Sequence, residues 1–117
     1  MEAFKSKISH TERVDMTSNA IKKYPDRVPL YVYGVNELQG KEGENGTKYM
    51  CPLDMIMCRL ITIIKESNGI NECEAIYLLT DGAKLIPGTS TIGSLYREYK
   101  DDDGFMYVEF KKENVFG

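Results

Sequence analysis

Few residues of this 117-residue chain carry the means for covalent chemistry. Cys51, Cys58 and Cys73 are its three thiols, His10 is its single histidine, and Asp101-Asp102-Asp103 is a run of adjacent carboxylates. A nucleophilic enzyme needs a thiol or hydroxyl beside a general base that a third group holds in place. His10 sits in a polar N-terminal segment with no cysteine near it in sequence, and reads as a solvent-facing helix residue. Cys58 falls inside a predicted helix and Cys73 just before a predicted strand, so both read as packing residues. An odd number of cysteines without CxxC spacing suggests neither a disulfide framework nor zinc, and points to a reducing, cytoplasmic setting. The aspartate run lacks the spaced ligands and closing Glu of a calcium loop and reads as a solvated turn. No GxGxxG, P-loop or HExxH occurs. The expectation is a chain that is not an enzyme and holds neither cofactor nor metal.

The chemically distinctive feature is the end of the chain, Glu113-Asn114-Val115-Phe116-Gly117. A terminal glycine presents a carboxylate with no Cβ beside it. Such a carboxylate can thread a narrow enzyme channel and, once adenylated, meet a cysteine thiol unhindered. Modifiers that are passed by thioester exchange to an amine need that property.

Composition narrows the remaining classes. Fifteen Lys and Arg against eighteen Asp and Glu leave a formal charge of −3. That balance argues against a nucleic-acid partner bound by phosphate neutralisation and against polybasic adhesion to anionic lipid. The charge is unevenly spread, +2 over residues 1–27 and −5 over residues 28–117. Residues 1–7 lack the apolar run of a signal peptide. The longest apolar stretch, Met55 to Ile64, is interrupted by Arg59 and Thr62 and is about half the length needed to span a bilayer. Membrane association is therefore expected to come through a modification or a partner.

The elements that must position these residues follow from periodicity. Residues 1–27 read as a helical extension with an apolar stripe too thin to stand alone. Ser9 or Thr11 would cap its second helix, and Pro25 would end it. Residues 28–117 read as the body of a single domain. Val28 to Tyr33 alternates as a strand, residues 34–47 have loop composition, and Lys48 to Pro52 is a second short strand. Asp54 would cap a helix stopped by Ser67-Asn68-Gly69, with Met57, Leu60, Ile61 and Ile64 as its central stripe. Ile56 and Ile63 widen that stripe beyond one core face, through deep burial or through a groove for a partner. Ala75 to Thr80 is a third strand, and Asp81-Gly82 signals a tight turn after it. Thr89 or Ser90 would cap a last helix bearing Ile92, Leu95, Tyr96 and Tyr99, and Phe105 to Phe110 is a fourth strand. The order β-β-α-β-α-β is the plan of an α+β, ubiquitin-like β-grasp: a four-stranded mixed sheet with a crossover helix, behind two N-terminal helices.

Three segments carry a resemblance: Lys23-Tyr24-Pro25-Asp26-Arg27-Val28-Pro29, Lys48-Tyr49-Met50-Cys51-Pro52-Leu53-Asp54, and the run from Ser94 to Val108 that includes Ser94-Leu95-Tyr96-Arg97-Glu98-Tyr99. With the ending Phe116-Gly117 they closely resemble the autophagy ubiquitin-like modifiers, the GABARAP and light-chain-three group. The resemblance implies coupling of Gly117 to phosphatidylethanolamine by activating and conjugating enzymes, reversed by a deconjugating cysteine protease. No other cofactor is implied. It places the chain in the cytoplasm and, once lipidated, on the autophagosomal membrane, as an adaptor for cargo receptors. It also implies a two-pocket groove that binds short acidic-flanked peptides of the form aromatic-x-x-aliphatic, added as a strand beside the second strand. The aromatic pocket would comprise Ala20, Pro29, Lys48, Met50 and Phe105. The aliphatic pocket would comprise Arg27, Tyr49, Cys51, Pro52, Met55, Leu60, Ile63 and Ile64, with Arg27 and Lys48 meeting the flanking acids.

The sequence departs from the resemblance in places. Met16 stands where an acidic residue is usual, and Ala20 where an aliphatic one is, which would make the first pocket shallower or more apolar. Ser67 replaces a common basic residue. Cys51 replaces an aliphatic one and would be open to alkylation if the groove is open. Most members carry a tail beyond the glycine, so a chain stopping at Gly117 is expected to be born mature or to be the processed form. The other reading is an unconjugated β-grasp module that uses the same groove on soluble or cytoskeletal partners.

Overall fold

A computed structural model describes residues 1–35, 44–80 and 84–112. Two N-terminal helices, α1 (Glu2–Lys7) and α2 (His10–Lys23), precede the strands β1 (Arg27–Val35) and β2 (Glu44–Pro52). Then follow α3 (Met57–Ser67), β3 (Ile76–Thr80), β4 (Lys84–Leu85), α4 (Ile92–Tyr99) and β5 (Met106–Lys112). The strands form one mixed sheet in the order β2-β1-β5-β3-β4, with β1 and β5 parallel and every other pair antiparallel. This is the ubiquitin-like β-grasp, with five strands among the described residues where the pattern predicted four. The extra strand has two residues, too few to display an alternation. Asp81-Gly82, the predicted turn, lies outside the described residues.

Local chemistry explains the helix boundaries. Ser9 caps α2 by accepting from Glu12 N at 3.2 Å, the Ser-x-x-Glu pattern of a helix start. At the end of α3, the Asn68 side chain donates to the Ile64 carbonyl at 2.8 Å, and Gly69 takes a φ of 65°. Two predicted caps are corrected. Asp54 does not cap α3; the helix begins at Met57, whose N–H donates to Ser90 O at 2.9 Å, and Cys58 N donates to Gly88 O at 3.0 Å. The loop before α4 thus satisfies donors that a side-chain cap would otherwise serve. For α4 the cap is Thr91, accepting from Ser94 N at 3.3 Å, and neither Thr89 nor Ser90.

Alternation along the central strands buries both faces of the sheet. On one face Leu30, Val32, Leu78, Met106 and Val108 pack with Met57, Leu60 and Ile64 of α3 and Ile92 and Leu95 of α4. On the other, Tyr31, Phe105 and Tyr107 pack with Phe4 of α1. The N-terminal helices therefore cover a second, aromatic core.

The acidic run is a dock for those helices, which corrects its reading as a solvated turn. Asp103 is 1% exposed and accepts from the Arg13 guanidinium at 2.7 Å, from the Tyr107 hydroxyl, and from Phe105 N at 2.8 Å. Lys5 pairs with Asp101 at 3.0 Å, and exposed His10 lies 3.2 Å from Asp102. Each of three consecutive aspartates thus meets one base of the N-terminal segment. Burial, and then the hydrogen bond to Asp103, hold the Tyr107 phenol well above its ordinary value. Gly104 adopts a φ of 95°, and a Cβ there would come within 2.3 Å of Thr17 Oγ1, so α2 lies directly on the turn.

Candidate functional site

The candidate site is a cavity of about 130 Å³ between α2 and the sheet. Met16 and Ala20, one helical turn apart on α2, form one wall. Pro29 lies opposite Met50 across the β1–β2 pairing, and Leu30 opposite Met106 across the parallel one. Those registers bring Pro29, Met50 and Phe105 together as the apolar base. Lys48, two residues before Met50 and on the same face of β2, is exposed and contributes the one charged side chain among the lining residues. Tyr49 completes the lining.

Ala20, Pro29, Lys48, Met50 and Phe105, scattered over eighty-odd positions of sequence, are therefore brought around one space. Met16 joins them. Its spacing of four from Ala20 was the available signal, and its thioether makes the wall apolar where a carboxylate would have made it polar. β2 is a terminal strand of the sheet, with β1 on one side only, so its outer edge is a template for a further strand. The cavity opens beside that edge. Pro29 sits within the β1–β2 pairing, one residue before β1 begins to pair with β5 at Leu30.

The second set of residues divides. Cys51, Leu60 and Ile64 belong to the main core, with Leu60 and Ile64 at 0% exposure. Tyr49 and Met55 pack half-buried against that core, and Pro52 and Ile63 are also half-buried. Arg27 is exposed, its guanidinium 5.8 Å from the centre of the Tyr24 ring. Cys51 and the core side of α3 thus lie beneath whatever surface Tyr49, Pro52, Met55 and Ile63 present. Ile56, the other residue of the wide helix stripe, is 43% exposed.

The cysteines reverse their expected places. Cys51 is 3% exposed, and burial, opposed by the charge of Arg27, pushes its thiol up to about 11. It is a core residue, not one open to alkylation. Cys58 and Cys73, read as packing residues, are exposed. Cys58 is exposed although its backbone N–H is tied to the Gly88 carbonyl. Among the described residues no group of histidines, cysteines and carboxylates is arranged to hold a metal ion. Gly117 lies outside the described residues.

Sequence reasoning missed Arg13, Asp103 and Tyr107, the residues that seat α2 and so hold one wall of the cavity. No local pattern announces them, because each finds its partner only across the fold.

Known proteins share both the sequence pattern and the fold. The model of the family described as autophagy protein Atg8, ubiquitin-like, matches residues 12–117. Autophagy-related protein 8h of Arabidopsis thaliana is 30% identical over 118 residues, covering 100% of this chain and 97% of that protein. Microtubule-associated protein 1 light chain 3 gamma of Homo sapiens is 28% identical, covering 97% of this chain and 78% of its own length. The crystal structure of Trypanosoma brucei ATG8 superposes with a TM-score of 0.81 at 22% identity, over 97% of each chain, a likeness of fold.

Proposed function

This chain belongs to the Atg8 family of ubiquitin-like autophagy proteins, and from that premise we propose that it is a modifier and adaptor, a substrate of enzymes that is itself no enzyme. Activating and conjugating enzymes couple the Gly117 carboxylate to phosphatidylethanolamine, and a deconjugating cysteine protease releases it. The protein then moves between cytoplasm and autophagic membrane, and there recruits partners through acidic-flanked aromatic-x-x-aliphatic peptides.

The observation that carries the recruiting role is the apolar cavity beside the free edge of β2, with Lys48 at its rim. A peptide added to that edge as a strand sends successive side chains to opposite faces. Residues three apart therefore point to opposite faces of the sheet. The first anchor meets the α2 side, where Lys48, Met50 and Phe105 line the cavity. The second meets the α3 side, where Tyr49 and Met55 pack against the core. The odd spacing of the motif is what a strand requires to use both. An open-mouthed apolar cavity of about 130 Å³ has room to receive an aromatic ring. Two such anchors correspond to affinities on the order of micromolar, about −8 kcal/mol.

Lipid coupling supplies what the chain lacks. Among the described residues no helix is long and apolar enough to cross a membrane, and the net charge of −3 gives no attraction to anionic lipid. Two acyl chains, at about 0.8 kcal/mol per buried CH₂, anchor a protein stably where one is marginal. Residence on a membrane then adds avidity for partners held there.

Reconstitution tests this reading. The chain is incubated with the cognate activating and conjugating enzymes, ATP and vesicles containing phosphatidylethanolamine, and its intact mass is measured. The expected result is a lipid adduct on wild type and none on Gly117→Ala. If wild type also stays unmodified while motif peptides bind, the unconjugated interaction module replaces the modifier.

A further inference from the structure

The chain has six methionines, and the fold sorts them. Met57 and Met106 are enclosed in the main core at 0% exposure. Met55 packs half-buried on the α3 side, and Met1 is exposed. Met16 and Met50 both line the cavity, and both are half-buried there. Met16 belongs to the α2 wall and Met50 to the sheet base, opposite Pro29. A ring entering the cavity is therefore flanked by a thioether from each of the two elements that form it. Sulfur beside an aromatic ring is a favourable contact. It is also the group in this lining that a peroxide can alter, and the cavity opens beside the edge of β2.

We propose that Met16 and Met50 form a reversible oxidation site that shuts the groove: hydrogen peroxide entering the empty cavity converts their thioethers to sulfoxides, which disfavour the aromatic anchor, and a bound peptide in turn shields both sulfurs. The inference rests on the cavity being a peptide-anchor site. In the step, a sulfur lone pair attacks one peroxide oxygen, the O–O bond breaks and an S–O bond forms. Sulfur is oxidised by two electrons, and the displaced oxygen leaves as water with both peroxide protons. The product is a hydrogen-bond acceptor set in an apolar lining. Ala20, Pro29 and Phe105 offer it no side-chain donor, and Lys48 is the one charged group around the cavity. A sulfoxide oxygen left without a donor opposes burial beneath a ring. One that turns to Lys48 takes that ammonium from the acidic flank of the peptide. Either way the complex is weakened. Methionine sulfoxide reductases return the thioether at the expense of a dithiol, with release of water, so the change can be undone.

The test uses the full chain and a synthetic peptide with a Phe anchor, an aliphatic residue three positions later, an acidic flank, and neither Met nor Cys. The chain is treated with hydrogen peroxide under conditions that leave Met57 and Met106 intact. Peptide-mapping mass spectrometry follows each sulfur, and titration calorimetry gives the affinity before and after. Met16 and Met50 are expected to oxidise in the free protein, and about tenfold more slowly under saturating peptide, while the rate at Met1 stays the same. The affinity is expected to fall about tenfold or more, the scale of one polar group buried without a partner, and to return after treatment with both reductase types and a dithiol. Met16→Leu with Met50→Leu, a volume-conserving exchange, keeps all three cysteines. Compared with its own untreated form, it is expected to lose no affinity. Sulfoxides at both positions with an unchanged affinity overturn the proposal. So do equal oxidation rates with and without peptide, a loss that the reductases do not reverse, or an equal loss in the double variant, which would assign the effect to other groups. If the peptide does not bind untreated wild type, the groove reading itself fails and takes the proposal with it.

Discussion

Arg13 and Asp103 stand ninety positions apart in the chain and form a buried ion pair, guanidinium to carboxylate at 2.7 Å with side-chain exposures of 9% and 0%. The same carboxylate accepts from the Tyr107 hydroxyl and from Phe105 N, and Arg13 Nε donates to the Ile8 carbonyl at 3.1 Å. One contact therefore joins α2, the acidic turn and the start of β5, the three segments whose relative placement sets the cavity between Met16 and Phe105.

Removing one member of this pair leaves an uncompensated buried charge. Arg13→Met is expected to cost about 3–5 kcal/mol in denaturant unfolding, while Arg13→Met with Asp103→Asn costs clearly less than the sum of the two singles. Additive losses would show that the charges do not depend on each other.

Gly104 combines a positive φ with the closest approach of α2. Gly104→Ala is expected to destabilise by roughly 2 kcal/mol or more from backbone strain and the clash with Thr17. Adding Thr17→Ala removes the contacts at Oγ1 and Cγ2 but leaves Cβ within 2.8 Å and the backbone strain in place, so it recovers part of the loss only. The hydroxyl that Thr17 donates to Asp103 O at 2.7 Å goes with it. A melting temperature unchanged by Gly104→Ala would contradict the geometry.

Thiol chemistry separates the three cysteines. In the native protein a maleimide is expected to label Cys58 and Cys73 quickly and Cys51 only on unfolding. The folded state holds the Cys51 proton more tightly than the unfolded chain does. Its contribution to stability is therefore complete below the free-thiol value of about 8.5 and is lost as pH rises toward about 11. Cys51→Val removes that titration, and its stability should fall less steeply across this alkaline window. Equal slopes for the two proteins would place the Cys51 thiol in solvent.

Rim and core residues of the groove should respond differently. Lys48 is exposed beside the cavity. Lys48→Glu is expected to weaken acidic-flanked peptides about three- to tenfold, on the order of 1 kcal/mol, with the melting temperature unchanged. Leu60, at 0% exposure, belongs to the core. Leu60→Ala is expected to cost about 2–5 kcal/mol of stability, and any loss of binding should track that loss. Calorimetry and thermal unfolding on the same samples distinguish the two effects.

The sequence by itself determined what depends on neighbours within a few residues. Alternation exposed the strands around Leu30 and Val108, Ser9 or Thr11 marked the start of α2, and Ser67-Asn68-Gly69 marked the end of α3. A terminal glycine and a net negative charge were legible without any fold. The five residues expected to form an aromatic pocket came from the resemblance, since periodicity carries no information about which strand lies beside which helix. Tertiary structure alone decided the rest. Asp103 reads as one of three hydrated carboxylates until the fold brings Arg13 to it, because burial of a charge depends on a partner that local sequence cannot specify. Cys58 is exposed and Cys51 buried for the same reason: a helix stripe says which residues share a face, and only packing says which face meets the core. The order β2-β1-β5-β3-β4, which leaves β2 at an edge with the cavity beside it, is likewise a long-range choice. It turns a strand, a helix face and a turn into a single site.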